Sequence, residues 1–316
     1  MNKLIQRIER EVGIEGLASI LAERLNPSDL QSLMLEVYNQ RASQLQPAQL
    51  LSAYENNRFV QPAAVPPSNM LEWERFAFLN LPMEFEPLLI SPVCPLGTSS
   101  AIALVDQDWA VSTSRNTEVV SDATNVLALE CALRRRELLK QNSKSNQNIH
   151  LATSHRLLRT VKFEGPNSFS HFGLFGLCSS GRDRGNLQFE FETLRLHIQF
   201  YLNTLIAFSD KKLLLNLRIT DFNEHDRHPL LEDQLLQPIR TSLPNVNCEF
   251  NDERETGRGY YRDLCFHIDF ITETGERLNI ADGGAVDWTQ KLLSNGKERS
   301  IISGIGNDRV CLNLIG

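Results

Sequence analysis

No stretch of the 316-residue sequence approaches the roughly 18 consecutive apolar residues that a membrane span needs. The first residues, MNKLIQRIEREV, mix charges from the outset and hold no apolar leader segment, which predicts a soluble, untargeted, cytoplasmic protein. Cysteine is sparse and scattered. Cys94, Cys131, Cys178, Cys248, Cys265 and Cys311 form no CxxC spacing and no Cys/His cluster of zinc type, so no metal site is expected and the thiols read as reduced and mostly buried. A basic excess is also lacking: 32 Lys and Arg face 39 Asp and Glu, a formal charge of -7. That balance argues against a coat for nucleic acid or an anionic membrane, though one local basic face remains compatible with it. No internal repeat is present, and the polar stretch QNSKSNQN reads as an exposed loop.

What is present suffices for one large domain and an appendage, since 41% of the residues are hydrophobic. The boundary falls at QPAAVPP, residues 61–67. Before it, Leu4, Ile5, Ile8 and Val12, then Leu17, Ile20 and Leu21, recur at helical spacing, and NPSDLQSLMLEVY restarts a helix with Ser28 or Asp29 as the expected N-cap. Residues 1–67 hold six basic and seven acidic side chains, 6 - 7 = -1. The arm is therefore no polybasic grip for nucleic acid; it either docks a partner or a second copy, or packs on the core.

Beyond the boundary the period changes. SNMLEWERFAFLN predicts a helix, FEPLLISP and SAIALVDQDWAVST predict strands, and DATNVLALECALRRRELLKQ predicts a helix capped near Asp122 or Thr124. Strands are expected at HLATSHRLLRTV and FSHFGLFGLC, a long helix through FETLRLHIQFYLNTLIAF, a strand at LLLNLRITDF and a helix around PLLEDQLLQPIR. The paired runs YYRDLCFHIDFI and RLNIAD are joined by the turn residues TETGE. This order is not βαβα alternation; it predicts an α+β domain, an antiparallel sheet flanked by helices, behind an N-terminal helical region.

Several stretches combine side chains suited to chemistry. In STSRNTEV, Arg115, Thr117 and Glu118 could grip a zwitterion or form only a surface turn. In TSHRLLRTV, alternation sets His155, Leu157 and Arg159 on one strand face and Arg156 on the other, so an arginine sits among apolar neighbours and wants an anion. Tyr260 and Tyr261 open a strand, one ring for the core and one for a cleft. Gly283 and Gly284 form a bulged turn or admit close backbone approach. Near the end, GIGNDRV places Arg309 after a glycine-rich turn.

The order of these stretches, from about Ser68 onward, resembles the catalytic core of class II aminoacyl-tRNA synthetases, most closely histidyl-tRNA synthetase and its relative, the regulatory subunit of ATP phosphoribosyltransferase. LEWERFAFLNLPMEFEPLLISP is similar to the family's dimer-forming helix and strand, which implies a homodimer. SRNTEV echoes an Arg-Pro-Glu-x-Thr-like turn of the amino-acid pocket. HRLLRTVKFEGPNSFSHFGLFG resembles the second signature, which implies Arg156 on the ATP α-phosphate and Phe169 on adenine. Tyr260, Tyr261, Gly283, Gly284 and Asp287 match the tyrosine pair and the Gly-Gly-x-x-Asp turn. GIGNDRV resembles the third signature, with Gly304 and Gly306 beside the nucleotide and Arg309 at the γ-phosphate. The resemblance thus implies ATP with magnesium as cofactors, and Arg156 and Arg309 as the catalytic cations.

The departures fall on chemistry. Leu158 replaces the acidic member of the second signature, Gly165 a loop cation, and Ala285 an arginine; His171 and Phe175 stand where histidyl enzymes read the imidazole. No anticodon-binding domain is expected after the third signature, and an ordinary tRNA is disfavoured as partner. Two readings follow: a synthetase-like subunit that binds an amino acid or related ligand in a regulatory or partner-binding role, with a protein partner on the N-terminal helices, or an enzyme that adenylates an amino acid or carboxylate for a non-standard acceptor.

Overall fold

The computed structural model describes residues 3–161, 169–209, 213–272 and 275–314. Gly165 and part of the TETGE turn lie outside them. The N-terminal arm is helical: α1 (Lys3–Val12), α2 (Leu17–Ser19) running into a π-helical turn at Ile20–Arg24, α3 (Pro27–Ser43) and α4 (Pro47–Asn56). Asn26, not Ser28 or Asp29, caps α3: its side chain accepts the Asp29 N–H at 2.9 Å, and Pro27 occupies the first turn, where no N–H is needed. The segments α2 to α4 bury no residue. The arm touches the rest through Asn116 on the Pro27 carbonyl, Arg58 on the Thr160 carbonyl and the Gln61 carbonyl on His171.

The remainder runs α5 (Pro67–Leu79), β1 (Glu86–Pro87), β2 (Val93–Pro95), α6 (Thr98–Ala103), β3 (Thr117–Val119), α7 (Ala123–Gln141), β4 (Ile149–Leu158), β5 (His171–Arg182) and α8 (Gln188–Phe208). It continues with β6 (Leu215–Asp221), α9 (His228–Leu231), α10 (Gln237–Ser242), β7 (Asn247–Phe250), β8 (Leu264–Ile271), β9 (Arg277–Val286), α11 (Trp288–Leu293), β10 (Glu298–Gly306) and α12 (Asn307–Leu314). Among the described residues, eight strands form one sheet in the order β1-β4-β5-β10-β9-β8-β6-β7. Only its outermost pairs, β1 with β4 and β6 with β7, are parallel. The expected α+β architecture is thus what the chain adopts.

Three local expectations fail. SAIALV is not a strand but the helix α6, because the buried Glu118 carboxylate accepts the Gly97 and Ser99 N–H groups, each at 2.9 Å, and so fixes the helix start. Tyr260 and Tyr261 lie in the loop ahead of β8, and the paired glycines lie inside β9 rather than in a turn.

The sheet has two unlike faces. The α8 side carries the larger apolar core, with Phe175, Leu217, Phe266, Ile268 and Ile301 beneath Phe189, Leu194, Ile198 and Leu205 of α8. The other side is covered by α6, α7 and α11, where Leu127, Cys131, Leu151, Trp288 and Ile302 pack. Arg135 of α7 is fully buried and grips Glu298 at the start of β10 with two bonds, Nε to Oε2 at 2.7 Å and Nη2 to Oε1 at 2.9 Å. This tie fixes the helix over one half of that face and leaves the other half open.

Candidate functional site

The open half is a cavity of about 460 Å³, floored by β5, β10, β9 and β8. Alternation decides what reaches it. Registers pair Gly306 with Leu174, Gly304 with Asp282 and Asp282 with His267, so these positions share the cavity face. Phe169, Tyr260, Tyr261, Gly304, Gly306 and Arg309, all expected at the site, line the cavity. A Cβ on Gly306 would meet nothing closer than the Arg309 chain at 3.7 Å, so a side chain there would project into the open space. At Gly304 it would fall 2.8 Å from Leu174 Cδ1.

Arg309 donates from Nη1 to the Asn279 carbonyl at 2.6 Å. No carboxylate pairs with it among the described residues: Asp308 is taken by Arg156 and the Gly173 N–H, and Asp287 by Lys291 and Arg262. Burial, then the nearby Arg159 cation, lowers the Arg309 pKa. Three arginines line the cavity, and Arg159 and Arg254 pair with Asp122 and Asp282, so of the neighbouring pair Arg309 and Arg159 it is Arg309 alone that lacks a carboxylate among the described residues, which favours an anion beside it.

Arg156 is not the second of that pair. It lies on the opposite strand face, donates from Nε to His171 Nδ1 at 2.8 Å and from Nη2 to Asp308 Oδ1 at 3.2 Å, and is not among the cavity-lining residues. Arg159, three residues on, occupies the cavity wall instead, donating to the Ser121 carbonyl at 2.8 Å and to Asp122 Oδ2 at 3.3 Å, with its guanidinium 5.2 Å from the centre of the Phe172 ring. His171 and Phe175 also face away: His171 bonds Arg156 and the linker, and Phe175 is wholly buried against Phe78 and Phe200. Neither can shape a ligand in this cavity.

Arg115, Thr117 and Glu118 do not line it either. Arg115 is exposed on a turn, Thr117 shares a hydrogen bond with Thr113, and Glu118 caps α6. Burial alone would raise the Glu118 pKa, but bonds from Gln107, Ser99 and Gly97 outweigh it and hold the carboxyl low. Gly283 and Gly284 serve close packing: a Cβ on Gly283 would fall 2.4 Å from Ser303 Cβ, and one on Gly284 2.6 Å from the Leu264 carbonyl oxygen.

The cavity also holds residues that sequence reasoning passed over. Asp122 caps α7, accepting the Thr124 N–H at 2.9 Å and its hydroxyl at 2.7 Å, and its Oδ2 faces Arg159 and the Tyr260 hydroxyl at 3.4 Å. The acid-x-Thr spacing sought in SRNTEV is met here by Asp122-Ala123-Thr124, at a strand-to-helix junction, and that junction was the available signal. Arg254, on the loop after β7, donates to Asp282 at 3.2 Å, while its Nη1 is buried without a partner. Asn125 Oδ1 and His267 Nδ1 are likewise buried and unpartnered, so three of the five such side-chain atoms among the described residues belong to residues lining this one cavity. Buried polar atoms left unbonded cost about 1–3 kcal/mol each, so their concentration marks a place built for an absent partner.

By sequence the chain matches no protein-family model and no curated protein. Its fold is that of the class II aminoacyl-tRNA synthetase-like proteins. The structure matches the ATP phosphoribosyltransferase regulatory subunit/histidyl-tRNA synthetase from Bacillus halodurans C with a TM-score of 0.59 at 10% identity, over 83% of each chain. Histidyl-tRNA synthetase from S. aureus matches with a TM-score of 0.56 at 12% identity, over 80% of this chain and 68% of that one. The RNA binding domain of threonyl-tRNA synthetase from Cryptosporidium parvum Iowa II matches at 0.54 and 10% identity, over 78% and 63%. At such identities the likeness is one of fold.

Proposed function

We propose that the protein binds a small amino-acid-like ligand in the 460 Å³ cavity, in a regulatory or partner-binding role. Asp122, with Thr124 and the Tyr260 hydroxyl beside it, takes the ammonium group, and Arg309 with Arg159 takes an anionic group. The observation that carries this reading is Arg309, a half-buried cation facing the cavity whose guanidinium bonds only a backbone carbonyl among the described residues. The unpartnered atoms of Asn125, Arg254 and His267 are the remaining contacts for the ligand.

A second reading is ATP-dependent adenylation of an amino acid or carboxylate. It is favoured by Arg159 and Arg309 on one cavity with Phe169 and the open Gly306 alongside, a set that suits a nucleotide's phosphates and base. Among the described residues no three carboxylate, histidine or cysteine side chains converge as metal ligands, so magnesium fits only as a companion of the phosphates. Thermal-shift measurements with each amino acid and with ATP, run beside ATP-pyrophosphate exchange, separate the readings. A shift without exchange supports the binding role, exchange supports adenylation, and neither a shift nor exchange overturns both.

Homodimerisation belongs to the same proposal. The segment resembling the family's dimer element exposes Leu71, Leu79, Met83 and Leu89, the last two almost fully, beside the edge strand β1. A monomer by light scattering at micromolar concentration refutes it. The exposed Leu33, Val37, Leu50, Leu51 and Tyr54 of α3 and α4 are the surface for a protein partner. No described helix is long and apolar enough to cross a membrane, in keeping with the proposed cytoplasmic location.

A further inference from the structure

A second cavity, of about 240 Å³, opens near the junction where β9 ends and β10 begins, against the start of α8. It shares no lining residue with the first. Leu187 and Glu190 of α8, Arg227, Arg262, Asp263 and Arg299 stand on its walls. The N-cap of the 21-residue α8 is Leu187, which offers no side-chain acceptor, so the positive end of a long helix faces this space.

The charged groups are unequally committed. Arg227 forks onto Asp221, and Arg299 donates to Asp183 Oδ2 at 2.7 Å and reaches Glu190 Oε1 at 3.2 Å. Asp263 lies at the rim, 3.8 Å from Arg227, and two further groups are left over. Glu190 Oε2 is buried without a partner, on a side chain only 8% exposed. Arg262 has a single loose contact, 3.6 Å to Asp287, and stays 62% exposed. One is an acceptor stripped of water; the other is a cation free to close over whatever enters.

We propose that this cavity is a second ligand site, which takes a small zwitterion of amino-acid type with its ammonium group on Glu190 Oε2 and its carboxylate against Arg262 and the start of α8. A simple anion would leave Glu190 Oε2 without a donor, and a simple cation would leave Arg262 and the helix end unused. The volume, below the roughly 300–1,000 Å³ of pockets for drug-sized ligands, limits the occupant to a small metabolite. The site is independent of the proposed role of the first cavity.

The test is calorimetric titration of the full chain with each of the twenty free amino acids, in the wild type and in Arg309→Ala, which impairs only the first cavity. At least one amino acid is expected to bind with an affinity that Arg309→Ala leaves unchanged. Glu190→Gln and the exposed Arg262→Ala should each weaken that binding about tenfold or more. The N-acetyl and the amide derivatives of the same amino acid should lose as much. If no amino acid binds the Arg309→Ala chain, or if neither substitution weakens binding, the site is refuted. Loss in only one of them refutes the two-ended grip. Should Glu190→Gln fail to fold, Arg262→Ala and the two derivatives decide alone.

Discussion

The two faces of the central sheet carry the same backbone to opposite ends. On the α8 side most inward positions are aliphatic or aromatic, and the polar cluster at its centre is satisfied, His197 bonding Ser179 at 2.8 Å and Ser303 at 2.7 Å, with Thr204 and, at the helix start, Glu190 as the exceptions. On the cavity side the polar groups are left partly unsatisfied, at Asn125, Arg254 and His267. The contrast separates residues that make the fold from residues that await a ligand, and β4 shows how finely it cuts. Arg156 and Arg159, at and just past the end of that strand, are three positions apart, an odd spacing, so one is spent on His171 and Asp308 and does not line the cavity while the other meets it.

The largest effect is expected where the cavity side is closed. Arg135→Ala strands Glu298 as an unpaired buried charge and should cost about 3–5 kcal/mol in urea unfolding, as much as removing a phenyl ring from the apolar face by Phe266→Ala. A loss under about 1 kcal/mol would mean that the tie is dispensable.

Next comes ligand affinity. Arg309→Ala and Arg159→Ala should each weaken ligand binding about tenfold or more, with folding intact by circular dichroism. Arg156→Ala should leave affinity unchanged. Equal losses at Arg156 and Arg309 in calorimetry would erase the distinction between the faces.

A smaller effect is expected with pH. Burial holds the His197 pKa well below its ordinary 6.5. The unfolded chain takes up a proton below about pH 6.5 that the native state refuses, so stability should fall as pH drops through that value, by up to about 1.4 kcal/mol per unit. The urea midpoint measured from pH 7.5 to 5.5 should slope less in His197→Asn than in wild type; parallel slopes would remove His197 as the cause.

The smallest expected effect is the stability change in Arg156→Ala. That side chain is 39% exposed and Asp308 keeps the Gly173 N–H, so about 1 kcal/mol or less should be lost. A larger loss would show that the Arg156–Asp308 contact holds α12 in place.

How much of this was legible in the sequence depended on the kind of signal. The α8 stretch stated its conformation because its apolar positions recur at helical spacing over 21 residues, and β5 because a long run buried on both faces reads as an interior strand. SAIALV misled because six apolar-rich residues fit either state, and a carboxylate 19 positions away, Glu118 on Ser99, decided for helix. Arg309, Phe169, Gly304 and Gly306, singled out through the glycine strand and the return strand, line one cavity. The choice between Arg156 and Arg159 turned on the phase of the strand. The alternation of His155, Leu157 and Arg159 held that information, whereas the pattern of the family's signature pointed to Arg156, which does not line the cavity. Arg254 and His267 gave no local signal, because only the fold brings the loop after β7 over β9.

The place of β10 in the sheet bears on how the protein is made. It sits between β5 and β9 and, among the described residues, is the one strand that joins the β1-β4-β5 half to the β9-β8-β6-β7 half, yet it follows both in chain order. During synthesis the two halves must therefore wait side by side with the edges of β5 and β9 bare, each edge a template for pairing with another nascent chain. A chaperone that shields strand edges should raise the yield of this protein more than one that shields helices.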